Sequence, residues 1–402
     1  MSMDRPGGRR ALLSILLSVG VAKCALPRIS IGDRDGVQVF LLGQTPVYLM
    51  GANYVVKAAP YLPPLDVVRA DAQMFAQNAA RMSYSPPYGG LPVVPVVRLG
   101  CIFEAAMPER GQGIDASWAA RLEETVEAFG DAGVYVFLDN HQDALSASNG
   151  GEGLPYWMAA ELQSRNPHEP FTISPSRPLE MVGGFFHRFL LRLLGIQDIQ
   201  TIGWDDDPWG PFAHDNTDGD DPNLVNLGNP SVRLNNNDDA WHEGRILFTK
   251  QCNNLARRFF LAPFGSEEDM ALLFTPFIDY IVHLSGVWER HTNVVAIDLF
   301  NEPPFWGLPS LFTFVLFSRR ALFAWYGAVL DALEERGVRA PVAYEDIMGS
   351  FTYVLSLAGV PFSADFRLRR WARRKQLVLS FHHYRGTRSV SYTHLRAHET
   401  DS

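Results

Sequence analysis

Val294-Val295-Ala296-Ile297-Asp298-Leu299-Phe300-Asn301-Glu302-Pro303 is the stretch whose reading decides the fold. Its apolar part has the length of one buried strand, and Pro303 cannot donate to a continuing ladder. The polar pair Asn301-Glu302 therefore falls at the strand's C-terminal end, the side on which parallel α/β proteins assemble their sites. A carboxyl group half withdrawn from water there holds its proton more tightly and is able to pass it to a leaving oxygen.

Working outward, short apolar runs recur at Val47–Asn53, Val93–Arg98, Val134–Asp139, Pro341–Glu345 and Leu377–Phe381. With the central stretch they predict six parallel strands. Between them, Ser117–Asp131 carries Trp118, Leu122, Val126 and Phe129 at helical spacing, and Leu272–Trp288 behaves alike, as outer helices would. The apolar run Leu311–Leu330 is interrupted by Arg319-Arg320 and predicts a buried amphipathic helix rather than a membrane span. The expected fold is α/β, a TIM (β/α)8 barrel cut short after its sixth strand. The connection from Asp139 to Val294 is far longer than a crossover needs and predicts an insertion over about residues 160–270 between strands 3 and 4.

The 402 residues, 47% hydrophobic and 12% aromatic, suit one such barrel domain with insertions. A formal net charge of -9 argues against a nucleic-acid partner, which needs a basic footprint. Arg5, Arg9 and Arg10 precede the apolar run Ala11–Val21 and the small-x-small end Ala22-Lys23-Cys24, so residues 1–24 read as a signal peptide, with a secreted, secretory-pathway or lysosomal destination. Cys101 and Cys252 then permit one disulfide, the pairing left open. The insertion's acidic middle, with Asp215, Asp218, Asp220 and Asp221, lacks the spacing of a calcium loop and reads as solvated loop. Neither metal nor cofactor is expected.

Chemistry concentrates at the strand ends. Leu138-Asp139-Asn140-His141-Gln142-Asp143 packs polar groups after the third strand, Arg98 closes the second, and His382-His383-Tyr384 closes the sixth. In this order, Arg98, His141, Asn301, Glu302, His382 and Tyr384 resemble the site pattern of glycoside hydrolase family 5, clan A. Within it, GANYVVKAAPYLPP (Gly51–Pro64), VVRLGCIFEAAMPERG (Val96–Gly111), FLDNHQDALS (Phe137–Ser146), GEGLPYW (Gly151–Trp157) and IDLFNEP (Ile297–Pro303) are similar to endoglycoceramidases and their glycosylceramidase relatives.

That resemblance spans roughly residues 30–388. It implies a retaining glycosidase with Glu302 as acid/base and Asn301 on the sugar 2-hydroxyl. It also implies that Arg98 and Tyr384 support the nucleophile, that His141 and His382 lie in the same site, and that Lys57, Asp143 and Trp157 line a glycan-binding cleft. The implied bond is the β-glycosidic link between glycan and ceramide. The apolar Phe305, Trp306, Leu308 and Phe312, just past Glu302, suit a lipid-facing lip for membrane-surface contact and suit core equally. Removal of one glucose from glucosylceramide or a steryl glucoside, and cellulase-like hydrolysis of a polysaccharide, are the alternatives.

The sequence departs from the pattern at its end. The family's nucleophile Glu follows the seventh strand, and after Tyr384 only Arg385–Ser402 remain, too few for two more βα units. Val390–Thr400, VSYTHLRAHET, matches the translation of a transposase adapter used in short-read library preparation, so residues 389–402 are expected to be a non-native tail. The chain as written is then expected to lack turnover. A non-catalytic glycolipid-binding protein is the reading from a different class.

Overall fold

The computed structural model describes residues 25–34, 37–82, 91–143, 145–146, 152–159, 250–304, 319–345, 366–374 and 376–380. The signal-peptide and tail readings, most of the insertion, the Phe305–Phe312 segment, His382 and Tyr384 fall outside them.

The chain enters through a hairpin. Strands β1 (Ile29–Arg34) and β2 (Val37–Leu42) pair antiparallel, and β2 turns into β3 (Thr45–Tyr54) through a two-residue loop in which Gly43 takes a φ of 64°. From β3 onward every pairing is parallel and follows chain order: β4 (Val93–Ile102), β5 (Tyr135–His141), β6 (Val294–Asp298), β7 (Val342–Glu345) and β8 (Leu377–Ser380). Helices fill the crossovers: α1 (Leu65–Met82), α2 (Ala116–Asp131), α3 (Lys250–Leu261) and α4 (Thr275–Arg290), α5 (Arg319–Glu335), and α6 (Phe366–Arg373). This is the wall of an α/β barrel, six parallel strands of it among the described residues, with the hairpin pairing onto β3 and β8 last in the described sheet.

Local sequence explains the pieces. In α2, Trp118, Leu122, Val126 and Phe129 are the buried stripe, and Asp115 caps the first turn by accepting from the Trp118 N–H at 2.7 Å. Helix α4 belongs to a longer segment, Glu267–Arg290, that is apolar enough to cross a membrane by composition. Its Phe277, Ile278, Tyr280, Ile281 and Leu284 are instead buried against the sheet. Lys250–Leu261, read from sequence as the end of the insertion, is a helix with Leu255, Ala256, Phe259 and Phe260 buried in the same core.

Two apolar layers hold the wall. Outside it, Val97, Leu99, Val136, Leu138, Ile297 and Leu299 alternate with inward-facing positions and meet the helices. Aromatic rings do much of this packing: Phe300 lies 5.1 Å from Phe260, 5.6 Å from Phe259 and 5.7 Å from Trp325. Inside, at the N-terminal ends of the strands, Val47, Val94, Tyr135, Val295 and Ala296 form a floor with Ile29 of the hairpin. The Tyr135 hydroxyl donates to the Pro27 carbonyl at 2.6 Å, Thr292 donates to Leu26, and the Arg28 guanidinium lies 4.1 Å from the centre of the Trp288 ring.

Candidate active site

Above the floor, β4, β5, β6 and β7 each turn a charged side chain inward. Arg98 is the hub. Its guanidinium reaches Asp139 at 2.9 Å, Asp298 at 2.7 Å, Glu345 at 2.9 Å and the Asn301 side-chain oxygen at 3.0 Å. Burial opposes its charge, but the pull of Asp139, Asp298 and Glu345 exceeds that and raises its pKa. Asp298 is completely buried; loss of water and then repulsion from Glu345 push its carboxyl up to about 6 against the attraction of Arg98. One cation thus faces a buried group of carboxylates, and the cavity carries a negative field.

Glu302 sits directly over this cluster. Its φ is 40°, a left-handed conformation uncommon for a residue with a side chain, and such strain persists where the surroundings over-determine it. Here they do. The Glu302 N–H donates to Glu345 Oε2 at 2.8 Å, and Gln142 Nε2 donates to the carbonyls of Asn301 at 2.6 Å and Glu302 at 3.0 Å. Asn301 returns the clamp, its Nδ2 donating to the Gln142 carbonyl at 2.9 Å while its backbone N–H donates to Asn140 at 3.1 Å. The strained peptide is therefore tied to β7 on one side and to the end of β5 on the other, leaving Glu302 half-buried at the mouth of the wall.

A second polar group adjoins the first through His141. Its Nδ1 is 2.7 Å from Asp139 Oδ2, and its Nε2 stands 3.9 Å from Asp143 and 3.8 Å from Glu152. Lys57, just past β3, pairs with Asp143 and lies 3.7 Å from Glu152. His141, Asp143 and Glu152 are the one group among the described residues whose ligand atoms are spaced as a metal ion would need, but the Lys57 ammonium supplies the positive charge beside their acids. Behind them Glu104 is pushed up to about 7, chiefly by burial, with the Tyr61 hydroxyl donating to it at 3.4 Å.

Of the residues singled out in the sequence, Arg98, His141, Asn301 and Glu302 join one polar cluster, and Lys57 and Asp143 meet as an ion pair at its side. Trp157 follows the Glu152 segment and its indole N–H donates to the Met107 carbonyl at 2.9 Å. Not singled out were Asp139, Asp298, Glu345, Gln142 and Glu152. A signal existed for three: Asp139, Asp298 and Glu345 are each the lone charge at the end of an apolar parallel strand, where a charge is buried at a cost unless it serves. Cys101 is a free thiol, buried and held away from solvent.

No family model matches the chain. It is 39% identical over 112 residues to "Endoglycoceramidase I" of Rhodococcus hoagii, a match covering 28% of this chain and 20% of that protein. It is 28% identical over 138 residues to "Endoglycoceramidase" of Cyanea nozakii, covering 34% of this chain and 25% of that protein. The matches thus span between a fifth and a quarter of the length of these curated relatives. Among solved structures, Endo-glycoceramidase II from Rhodococcus sp. in a cellobiose-like imidazole complex aligns with 88% of this chain and 61% of its own, at 18% identity and a TM-score of 0.47.

Proposed function

We propose that this chain is the greater part of a retaining β-glycosidase of the glycoside hydrolase family 5 type, and that it releases the glycan from glycosphingolipids. The observation that carries the reading is the strained, doubly clamped Glu302 beside Asn301, poised over the Arg98 carboxylate cluster at the C-terminal end of a parallel strand. The 39% identical stretch in an endoglycoceramidase supports the same substrate class.

In this mechanism Glu302 protonates the glycosidic oxygen as the bond to the aglycone breaks, and later takes the proton from the water that resolves the glycosyl-enzyme. Positive charge develops at the anomeric carbon, and the negative field of Asp139, Asp298 and Glu345 favours it there. Asn301, locked through Arg98 and Gln142, presents its amide toward the sugar 2-hydroxyl. His141, Asp143 and Lys57 supply the donors and acceptors that recognise the remaining hydroxyls.

Retention also needs a carboxylate nucleophile about 5–5.5 Å from the acid/base. Glu345 has one oxygen on Arg98 and the other on the Glu302 N–H, so it serves the framework. The nucleophile is expected, as in the family pattern, from a further strand of the gene product read to its own stop codon in place of residues 389–402. His382 and Tyr384 complete the site near it, residues 1–24 direct the enzyme into the secretory route, and its substrate is met at a membrane surface.

The test is to express that extended protein and incubate it with a fluorescent ganglioside. Release of the intact glycan, abolished by Glu302→Gln, is the expected result. Release of single glucose units would overturn the endo assignment. Glycan binding without any hydrolysis would establish the binding-protein reading, and neither binding nor hydrolysis would overturn both.

A further inference from the structure

The carboxylate of Glu152 takes no part in the steps above, yet it is 1% exposed and its Oε1 has no hydrogen-bond partner among the described residues. It points into the space between Lys57 Nζ, at 3.7 Å, and His141 Nε2, at 3.8 Å, and that nitrogen also lacks a partner among the described residues. These separations lie just beyond direct hydrogen bonding, so the groups frame a gap that one hydroxyl could bridge.

The backbone leaves the carboxylate nowhere else to go. Glu152 and Asp143 exchange both backbone hydrogen bonds, at 2.9 and 3.0 Å. Gly153 follows at a φ of 137°, where a Cβ would come within 2.5 Å of the Gln142 Cβ, and its carbonyl accepts from Glu104 at 2.8 Å. A carboxylate buried this deeply is expensive, and Lys57 and then His141 oppose the effect of its burial. The other ionisable groups facing this corner are Asp143 from the end of β5, Glu104 after β4, and Tyr61 beside Glu104.

We propose that Glu152 is a positioning residue of the cleft: its carboxylate holds the Lys57 ammonium against Asp143 and faces His141 Nε2, so that the three present a fixed set of hydrogen-bonding groups to one sugar hydroxyl. The inference rests on the glycan-cleft reading above, and its test separates the two.

The full chain has four lysines, Lys23, Lys57, Lys250 and Lys375, so after reductive methylation with a 13C label each gives a distinguishable dimethylamine signal, assigned by Lys57→Arg. Glu152→Gln is expected to move the Lys57 signal and leave those of Lys250 and Lys375 in place. It is also expected to raise the Kd for an aryl β-lactoside about tenfold, with the Glu152→Gln/Lys57→Met double variant no weaker than either single one, because both remove one coupled unit. An unmoved Lys57 signal overturns the proposal whether or not glycan binds. Independent effects, multiplying to about a hundredfold in the double variant, overturn it as well. A moved signal in a protein that binds no glycoside supports the grip of Glu152 on Lys57 and counts against the proposed function. Should Glu152→Gln fail to fold, Glu152→Asp keeps the charge, withdraws it by one methylene and carries the same expectations.

Discussion

Replacing Asp298 by Asn tests whether the centre of the site stores unfavourable electrostatic energy. In the unfolded chain this carboxyl ionises near 3.8; in the folded protein, burial and Glu345 move it to about 6. The folded state therefore holds a proton that the unfolded state has released between about pH 4 and pH 6, so stability falls as pH rises through that window and the deficit is complete above it. Just over two pH units at about 1.4 kcal/mol each gives about 3 kcal/mol. Asn keeps the shape and an acceptor oxygen for Arg98 but cannot ionise. The variant is expected to be more stable than the parent by up to about 3 kcal/mol at pH 7.5 and to match it at pH 4, where the parent carboxyl is already protonated. Urea titrations at intervals from pH 4 to pH 7.5, followed by the fluorescence of the nine tryptophans, read this directly. A variant less stable at pH 7.5, or a difference that does not change with pH, would refute the reasoning. If the effect holds, Asp298 carries a charge that costs the fold stability, as a residue kept for the proposed function would.

Three further expectations concern the frame around the site. Gly153→Ala should cost about 2–4 kcal/mol, read as a lowered thermal midpoint, since its Cβ would strike Gln142 and its φ suits only glycine. Phe300→Ala should cost about 3–5 kcal/mol, because the ring is 1% exposed among Phe259, Phe260 and Trp325; a loss below 1 kcal/mol in urea would contradict that packing. Cys101, fully buried and with its pKa raised by that burial, should resist iodoacetamide at pH 8 and be alkylated in urea, as peptide mass mapping would show.

The parallel strands were legible because each is a short apolar run buried on both faces, a signal that survives in one sequence. Their ends were less so: β4 extends to Ile102 rather than Arg98, and β6 gives up its ladder at Asp298, before Phe300. In β4 the apolar run resumes past Arg98, whereas in β6 the ladder stops at Asp298, a residue of the charged cluster. The hairpin of β1 and β2 went unread although Gly43 marks the turn; alternation in β2 is blurred because Val39 and Leu41 on one face and Phe40 and Leu42 on the other are all apolar and all half-buried. Glu302, Asn301, Arg98 and His141 were found as strand-end residues. The roles of Gln142 and Glu152 were not, because one comes from a contact between the ends of β5 and β6 and the other from a loop folding back beside β5, and no spacing along the chain encodes either.

The hairpin and its leading residues also bear on how the protein is made. Leu26, Pro27 and Arg28 leave the ribosome early, yet their partners Tyr135, Trp288 and Thr292 arrive much later, the last two only as β6 is about to emerge. The N-terminal segment is thus a tie that closes fully across the base of the wall only once the residues just before the fourth parallel strand have been made. That strand leads into Asn301 and Glu302. Completion of the floor and placement of the Asn301–Glu302 corner thus both wait on β6, so a defect at Arg28 would be felt at its opposite end.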